Sequence, residues 1–327
     1  MNAFDTSALN PGVARKEVLA WSLYDFANSG YTTVVLTTVF AQYFTGVVAA
    51  HSAYPTTVWT WTLAASNALV LLCMPVIGAW ADVHARKKGM LLVATVGAVV
   101  GTAALAGVGR GEVLGAAVAL MASNFFFMVG MGLVSAFLPE LARPGALGRV
   151  SGWGWALGYL GGLFTLGLCL AYVAWARTQG QGPEQFVPAT ILITASVFAL
   201  AATPTFIWLR ERAMAAPDVS AVGRVRMIWT RLAHTAQRAA HFQDFARVLL
   251  CGVCYQAGVA VVITLAAIYA ADVMHFSFEQ TMLMVLLVNI TASLGALAFG
   301  YVQDILGHKR ALALTLFLWL AMIVVAA

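Results

Sequence analysis

The stretch WSLYDFANSGY, residues 21–31, places Asp25, Asn28 and Ser29 inside an apolar run that extends from about residue 18 to residue 47. A carboxyl group can carry a proton or hold a cation, and an amide and a hydroxyl can hydrogen-bond a passing solute. With Thr32 these residues are spaced i, i+3, i+4 and i+7, which is one stripe of an α-helix. A helix entering near Val18 carries Asp25 about 10 Å and Asn28 about 15 Å along its axis, close to the middle of a bilayer. A carboxylate turned toward lipid there would cost at least roughly 2.5–3.5 kcal/mol, so the stripe must face protein or water. Asp25 is the one acid well inside a span. It either exchanges a proton or holds an amine, or it is a structural acid that hydrogen-bonds a neighbouring helix. Asn28 and Ser29 are equally suited to tie helices together.

The rest of the chain supplies the elements that hold this stripe. The sequence is 61% hydrophobic and 9% charged, with a mean hydropathy of +0.86. A soluble domain is nearer a quarter charged, and a chain of this size cannot hide so much apolar residue in a core. Lipid must be its solvent, in an all-α membrane protein. Nine apolar segments, near 18–47, 57–80, 89–109, 113–138, 150–175, 187–209, 246–271, 280–303 and 310–327, are long enough to span, and each must be helical so that its backbone is satisfied internally. The first is too long, and lacks the small-residue site, to be a cleaved leader.

Sixteen of the 18 lysines and arginines fall on one side of these spans; only Arg110 and Arg177 fall on the other. The basic side is expected to be cytoplasmic, with the N-terminus there. The basic pI of 9.2 is then an orientation signal rather than a nucleic-acid footprint. The longest polar stretch, 210–245, separates a six-helix unit (1–209) from a second unit (246–327). Within it Val225, Ile228, Trp229 and Leu232 share a helical face opposite arginines, the pattern of a helix lying on the membrane surface or of a solvated linker helix. Cys251 and Cys254 form a CxxC, read as packing because no second pair completes a metal site. The spans hold no HExxH, Ser/Lys or His/Asp constellation, so the chain is expected not to be an enzyme and to carry neither metal nor cofactor.

Asn124 and Asn289 also lie within spans; Asn289 opens an Asn-Ile-Thr sequon that its depth removes from glycosylation. Gly154, Gly158 and Gly162 recur every four residues in helix five, as do Ala292, Ala296 and Gly300 in helix eight, so these two helices are expected to approach closely through the two rows.

Two loops match. GAWADVHARKK (78–88) follows helix two and GYVQDILGHKR (300–310) follows helix eight, 222 residues later. Gly78 aligns with Gly300, Asp82 with Asp304, and Arg86, Lys87 and Lys88 with His308, Lys309 and Arg310. This repeat resembles the cytoplasmic signature loop of the major facilitator superfamily. The first copy departs from the pattern with Ala85 where glycine is usual; the second keeps Gly307 but has His308 in a basic position. WSLYDFANSGY, FLPELA (137–142) and RVSGWGWALGYLGG (149–162) together resemble the vacuole-effluxer branch, which includes the autophagy-related vacuolar amino-acid exporters of fungi and their bacterial relatives.

The resemblance implies a major facilitator fold: a six-helix N-terminal half plus about three helices of the C-terminal half, the sequence stopping inside helix nine where the family has twelve. It implies a secondary transporter in a bacterial inner (plasma) membrane, moving a small solute by alternating access. Amino-acid efflux with protons as coupling ion is the leading activity, and sugars or drug-like solutes are alternatives, as is a receptor or scaffold on the same fold. A monomer is expected. Helix one would line the central path, and Tyr255 and Gln256 of helix seven would form a polar pair. Each signature aspartate would face the opposite half: Asp304 the start of helix five near 149–152, and Asp82 the start of helix eleven. Without helix eleven, Asp82 is left to pair with Arg86, and the 327-residue chain alone is expected not to transport.

Overall fold

The computed structural model describes residues 4–212, 229–230, 233–234, 237, 242–272, 274–275 and 278–326. Each apolar segment is a helix: α1 Arg15–Val48, α2 Pro55–His84, α3 Lys87–Leu105, α4 Val113–Ser135, α5 Leu147–Thr178, α6 Pro183–Trp208, α7 Gln243–Asp272, α8 Phe278–Leu306 and α9 His308–Ala326. Among the described residues, eight are long and apolar enough to cross a membrane; in α7 the described apolar stretch is Ala246–Ala260. The linker helix expected from Val225, Ile228 and Leu232 lies outside the described residues; Trp229 is described, helical and exposed.

Leu71, Leu72, Val93, Val100, Val118 and Leu200 are exposed on the outer faces, as lipid-facing side chains must be. Because lipid is as apolar as leucine, helix association relies on close packing and interhelical hydrogen bonds. α1 is the hub, packed on α5 and α6, while α4 packs on α2 and α3, and α3 on α6. The fully buried Tyr24 and Tyr31 of α1 join Thr95 of α3 and Ser123 of α4 through their hydroxyls, each at 2.8 Å. Trp21 Nε1 donates to Val134 O at 2.9 Å, and Thr205 Oγ1 of α6 donates to Ala20 O at 2.7 Å. Gly130 makes room for the Tyr24 hydroxyl, since a Cβ there would lie 2.6 Å from it.

α1 is not a uniform helix. From Thr32 to Thr37, and again from Phe44 to Val48, it widens to π-helical pairing. The β-branched run TTVVLTT lies at the first widening, where Thr37 Oγ1 and Thr38 Oγ1 both donate to Thr33 O. The i, i+7 relation of Asp25 to Thr32 therefore marks the end of the regular helix.

The two matched loops share a backbone feature. Gly307 ends α8 at φ 79°, and Ala85 ends α2 at φ 47°, ψ 48°. A left-handed alanine costs roughly 1–2 kcal/mol, which glycine avoids. Ala85→Gly is accordingly expected to stabilise the protein by about 0.5–1 kcal/mol, after the greater freedom of glycine in the unfolded chain is offset. Thermal unfolding in lipid nanodiscs checks this: the melting temperature should rise, and a fall would contradict the assignment.

Candidate functional site

Asp25 lies on the α5-facing side of α1, half-buried beside Trp21 and Gly154. A methyl group added at Gly154 would stand 2.5 Å from Asp25 Oδ2, and one at Gly158 would stand 3.0 Å from Ser29 Oγ. Among the described residues no hydrogen-bond donor or cation reaches the Asp25 carboxylate. Asn28 turns toward α4, where its Nδ2 contacts Met131 Sδ at 2.9 Å, and its buried Oδ1 has no partner among the described residues. Ser22 Oγ, buried one and a half turns earlier, is likewise unpaired. Thr32 is exposed, at the start of the π-helical stretch. The helix-one residues thus divide between α4 and α5 rather than facing one neighbour.

The remaining polar candidates separate. Asn124 is buried and donates to Ser66 Oγ and Asn67 Oδ1 of α2, at 3.0 and 3.2 Å, which makes it an α2–α4 tie. Asn289 donates to Val285 O within its own helix at 2.8 Å. Tyr255 is half-buried and Gln256 exposed on α7, and neither makes a hydrogen bond or ion pair among the described residues. Cys251 and Cys254, expected to pack, are exposed on the same helix.

α5 is gripped from two sides, and the glycine row serves α1 instead of α8. Gly154, Gly158 and Gly162 meet Asp25, Ser29 and Thr33 of α1. The approach to α8 uses Gly148 and Gly152: their added Cβ atoms would lie 2.8 Å from Gly300 O and 2.6 Å from Ala296 O. One turn on, Ser293 Oγ donates to Ala156 O at 3.0 Å, so Ser293 stands where Ala292 was expected. Positions 152 and 154 are about 200° apart around a helix, which is why adjacent rows serve opposite neighbours. Cysteines at Ala156 and Ser293 are expected to form a disulfide under mild oxidation, while one at Gly154 paired with Ala296→Cys should not. The reverse pattern on a reducing against non-reducing gel would contradict this packing.

Where α5 starts, Asp304 closes the gap between α5 and α8. Its Oδ1 and Oδ2 accept from the backbone N–H groups of Gly148 and Arg149 at 2.9 and 3.1 Å, with Arg149 Nε 3.6 Å away. These N–H groups are unpaired donors at a helix N-terminus, where the dipole favours a negative charge. Asp304 is 6% exposed. Its counterpart Asp82 is 56% exposed and pairs at 3.7 Å with Lys87, not Arg86. Lys87 also reaches Glu140 at 3.1 Å. Of the second loop's basic positions, His308 meets Gln303, while Lys309 and Arg310 are exposed, as are Arg86 of the first loop and Gly307; Gly78 is half-buried.

Sequence reasoning passed over the acids that complete this end of the bundle. Glu17, 2% exposed in the first turn of α1, binds the Arg212 guanidinium at 2.9 Å. Glu140 accepts from the backbone N–H of Arg212, and Glu211 caps α3 at the N–H groups of Lys87 and Lys88. The signal was present as three acids at helix ends in a chain with only 13. Arg110 and Glu184 pair at 2.6 Å at the other end of the bundle.

Superposed on solved structures, the chain matches the major facilitator superfamily proton:xylose symporter XylE over 89% of its length and 68% of that chain (TM-score 0.53, 14% identity). It matches the human organic anion transporter MFSD10 (TETRAN) over 88% of its length and 72% of that chain (TM-score 0.58, 18% identity). The fold is therefore that of the major facilitator superfamily, with the first six helices and three of the second half described. Residues 47–327 match the family model for vacuole effluxer Atg22-like proteins, and the chain belongs to that family. It is 25% identical over 297 residues to the uncharacterized MFS-type transporter YxiO of Bacillus subtilis, covering 88% of this chain and 68% of that one. It is also 25% identical over 169 residues to autophagy-related protein 22-1 of Emericella nidulans, covering 49% of this chain and 28% of that one. It is an integral membrane transporter of the major facilitator type, not an enzyme.

Proposed function

We propose that the full-length protein is a proton-coupled exporter of a small solute such as an amino acid, working by alternating access between the six-helix half, 1–209, and a second half of which 246–327 supplies three helices, the two joined by the 210–245 segment. The basic end is cytoplasmic, the membrane is a bacterial inner membrane, and the protein acts as a monomer without a cofactor. One observation carries this reading: Asp25 lies in the mid-membrane part of α1 with no donor or cation among the described residues, one turn from the unpaired buried Asn28 Oδ1. Buried polar groups without partners are uncommon and costly, and inside a membrane they mark pathways. Asp25 takes up and releases the coupling proton, Asn28, Ser29 and Thr32 offer polar contacts to the solute, and Tyr255 and Gln256 face them from the other half when the path closes around it. Asp304 on the start of α5, with Gly300 and Gly148 in contact beneath it, is the closed cytoplasmic gate.

Efflux from cells of the source organism tests the solute class. Cells loaded with dipeptides release the constituent amino acids; deleting the gene should slow release of at least one of them several-fold, and a collapsed proton gradient should do the same in wild-type cells only. Unchanged release of every amino acid on deletion would overturn the amino-acid reading.

A further inference from the structure

Residues 4–14 precede α1 and lie across the basic ends of α4 and α5. Leu9 pairs in a bridge with Ala142; Asn10 Nδ2 donates to Pro139 O and Glu140 O at 3.0 and 3.1 Å; Arg143 donates from its backbone to Ala8 O and from Nε to Leu9 O. Ala8 and Leu9 are buried. Phe4 meets Trp153 of α5 edge-on, with ring centroids 5.2 Å apart. This segment is therefore a strap fixed to the first half.

The strap ends at the gate through one side chain. Arg149 Nη1 binds Asp5 Oδ2 at 3.2 Å, while its Nε stands 3.6 Å from Asp304 Oδ2 and its guanidinium lies over the Tyr301 ring of α8 at 5.0 Å. Arg149 Nε is buried and makes no hydrogen bond among the described residues. The guanidinium thus sits between a carboxylate of its own half and a carboxylate of the other, drawn partly out of line with Asp304.

We infer that Asp5 is a positioning residue for the gate: it shares Arg149 with Asp304 when the cytoplasmic end is closed and keeps Arg149 when that end opens. In the closed state Arg149 is already matched by Asp304, so Asp5 adds little and competes for the guanidinium. In the open state Asp304 departs with α8 and Asp5 becomes the charge partner of Arg149 nearest at hand. The Asp5 carboxylate therefore favours opening, and its removal favours closure. Because Asp5 is half-exposed, the effect has the size of a solvated ion pair, about two- to fivefold in the ratio of closed to open.

The inference rests on Asp304 being part of the gate, and the test separates the two. Spin labels are placed at Gly145, which has open space around it, and at the exposed Lys309, with Cys73, Cys251 and Cys254 replaced by serine and the buried Cys169 kept. Pulsed dipolar spectroscopy in nanodiscs then reads the short-distance (closed) and long-distance (open) populations. Asp5→Asn should raise the closed-to-open ratio about two- to fivefold, Asp5→Glu should leave it as in wild type, and Asp5→Asn in an Arg149→Gln background should leave it unmoved. A purely structural strap would instead shift the ratio equally with and without Arg149. That outcome, no shift, or a shift toward the open population would overturn the inference. Asp304→Asn is the control: if it does not enrich the long distance, the gate reading fails and this inference falls with it. If it does, a null result at Asp5 rejects the strap alone.

Discussion

Asp304→Asn is expected to open the basic end of the bundle. The carboxylate takes two charge-assisted hydrogen bonds from the N–H groups of Gly148 and Arg149 at the α5 N-terminus, and it is 6% exposed. Hydrogen bonds to charged groups contribute about 1.5–3 kcal/mol each, and the helix dipole adds up to about 1 kcal/mol for a negative charge at this position. Asparagine retains one acceptor and turns the other position into a donor facing a donor. The net loss is about 1.5–3 kcal/mol, which lowers the closed-to-open ratio roughly 10- to 150-fold. The backbone contact of Gly300 with Gly148 and Gly152 persists in shape but loses its electrostatic latch. Asp82→Asn should have a much smaller effect, because that residue is 56% exposed and its one ion pair, to Lys87, is shared with Glu140. Accessibility of the α5 and α8 ends to a soluble alkylating reagent checks both; similar effects at Asp82 and Asp304 would contradict the asymmetry.

If Asp25 carries the coupling proton as proposed, Asp25→Asn is expected to abolish coupled transport while leaving the protein folded. No ion pair is lost among the described residues, and asparagine is nearly the same size, so the packing of α1 on Gly154 and Gly158 is kept. What is lost is the carboxyl group proposed to gain and release the proton. Efflux driven by a proton gradient from cells carrying the chromosomal Asp25→Asn allele should fall to the level of the deletion, with membrane expression unchanged. A wild-type rate with a wild-type pH dependence would remove Asp25 from the coupling step.

The positions of the nine long helices among the described residues were legible because lipid demands long apolar runs and internally bonded backbone, and the repeated Gly-x-x-x-Asp loops were legible because they recur after matched spans. The lock of Asp304 on α5 was anticipated within one residue: 149–152 was expected and Gly148 and Arg149 supply the donors. The partner of the Gly154, Gly158 and Gly162 row was not. Small residues at four-residue spacing say that another backbone comes close, not which one, and the row for α8 is offset to Gly148 and Gly152. The split of Asp25 and Asn28 between α5 and α4 was hidden for a related reason, since one stripe on a helix can fill a crevice between two neighbours. Glu17 and its partner Arg212 lie 195 residues apart, and a residue count carries no sign of such a pair. The widening of α1 at Thr32–Thr37 arises from threonine hydroxyls competing for carbonyls, which hydropathy does not register.

Under the proposed function, the helix-one residues line a water-filled path whose mouth at the basic end is shut by Asp304. Cysteine substitution of Ser29 and of Thr32, followed by labelling with a membrane-impermeant maleimide from each side of sealed membranes, tests it most directly. Labelling is expected from the side opposite the basic end when Asp304 is intact, with strong added labelling from the basic side in Asp304→Asn. Cysteines at both positions that stay unlabelled from either side, with Asp304 intact or replaced, would contradict it.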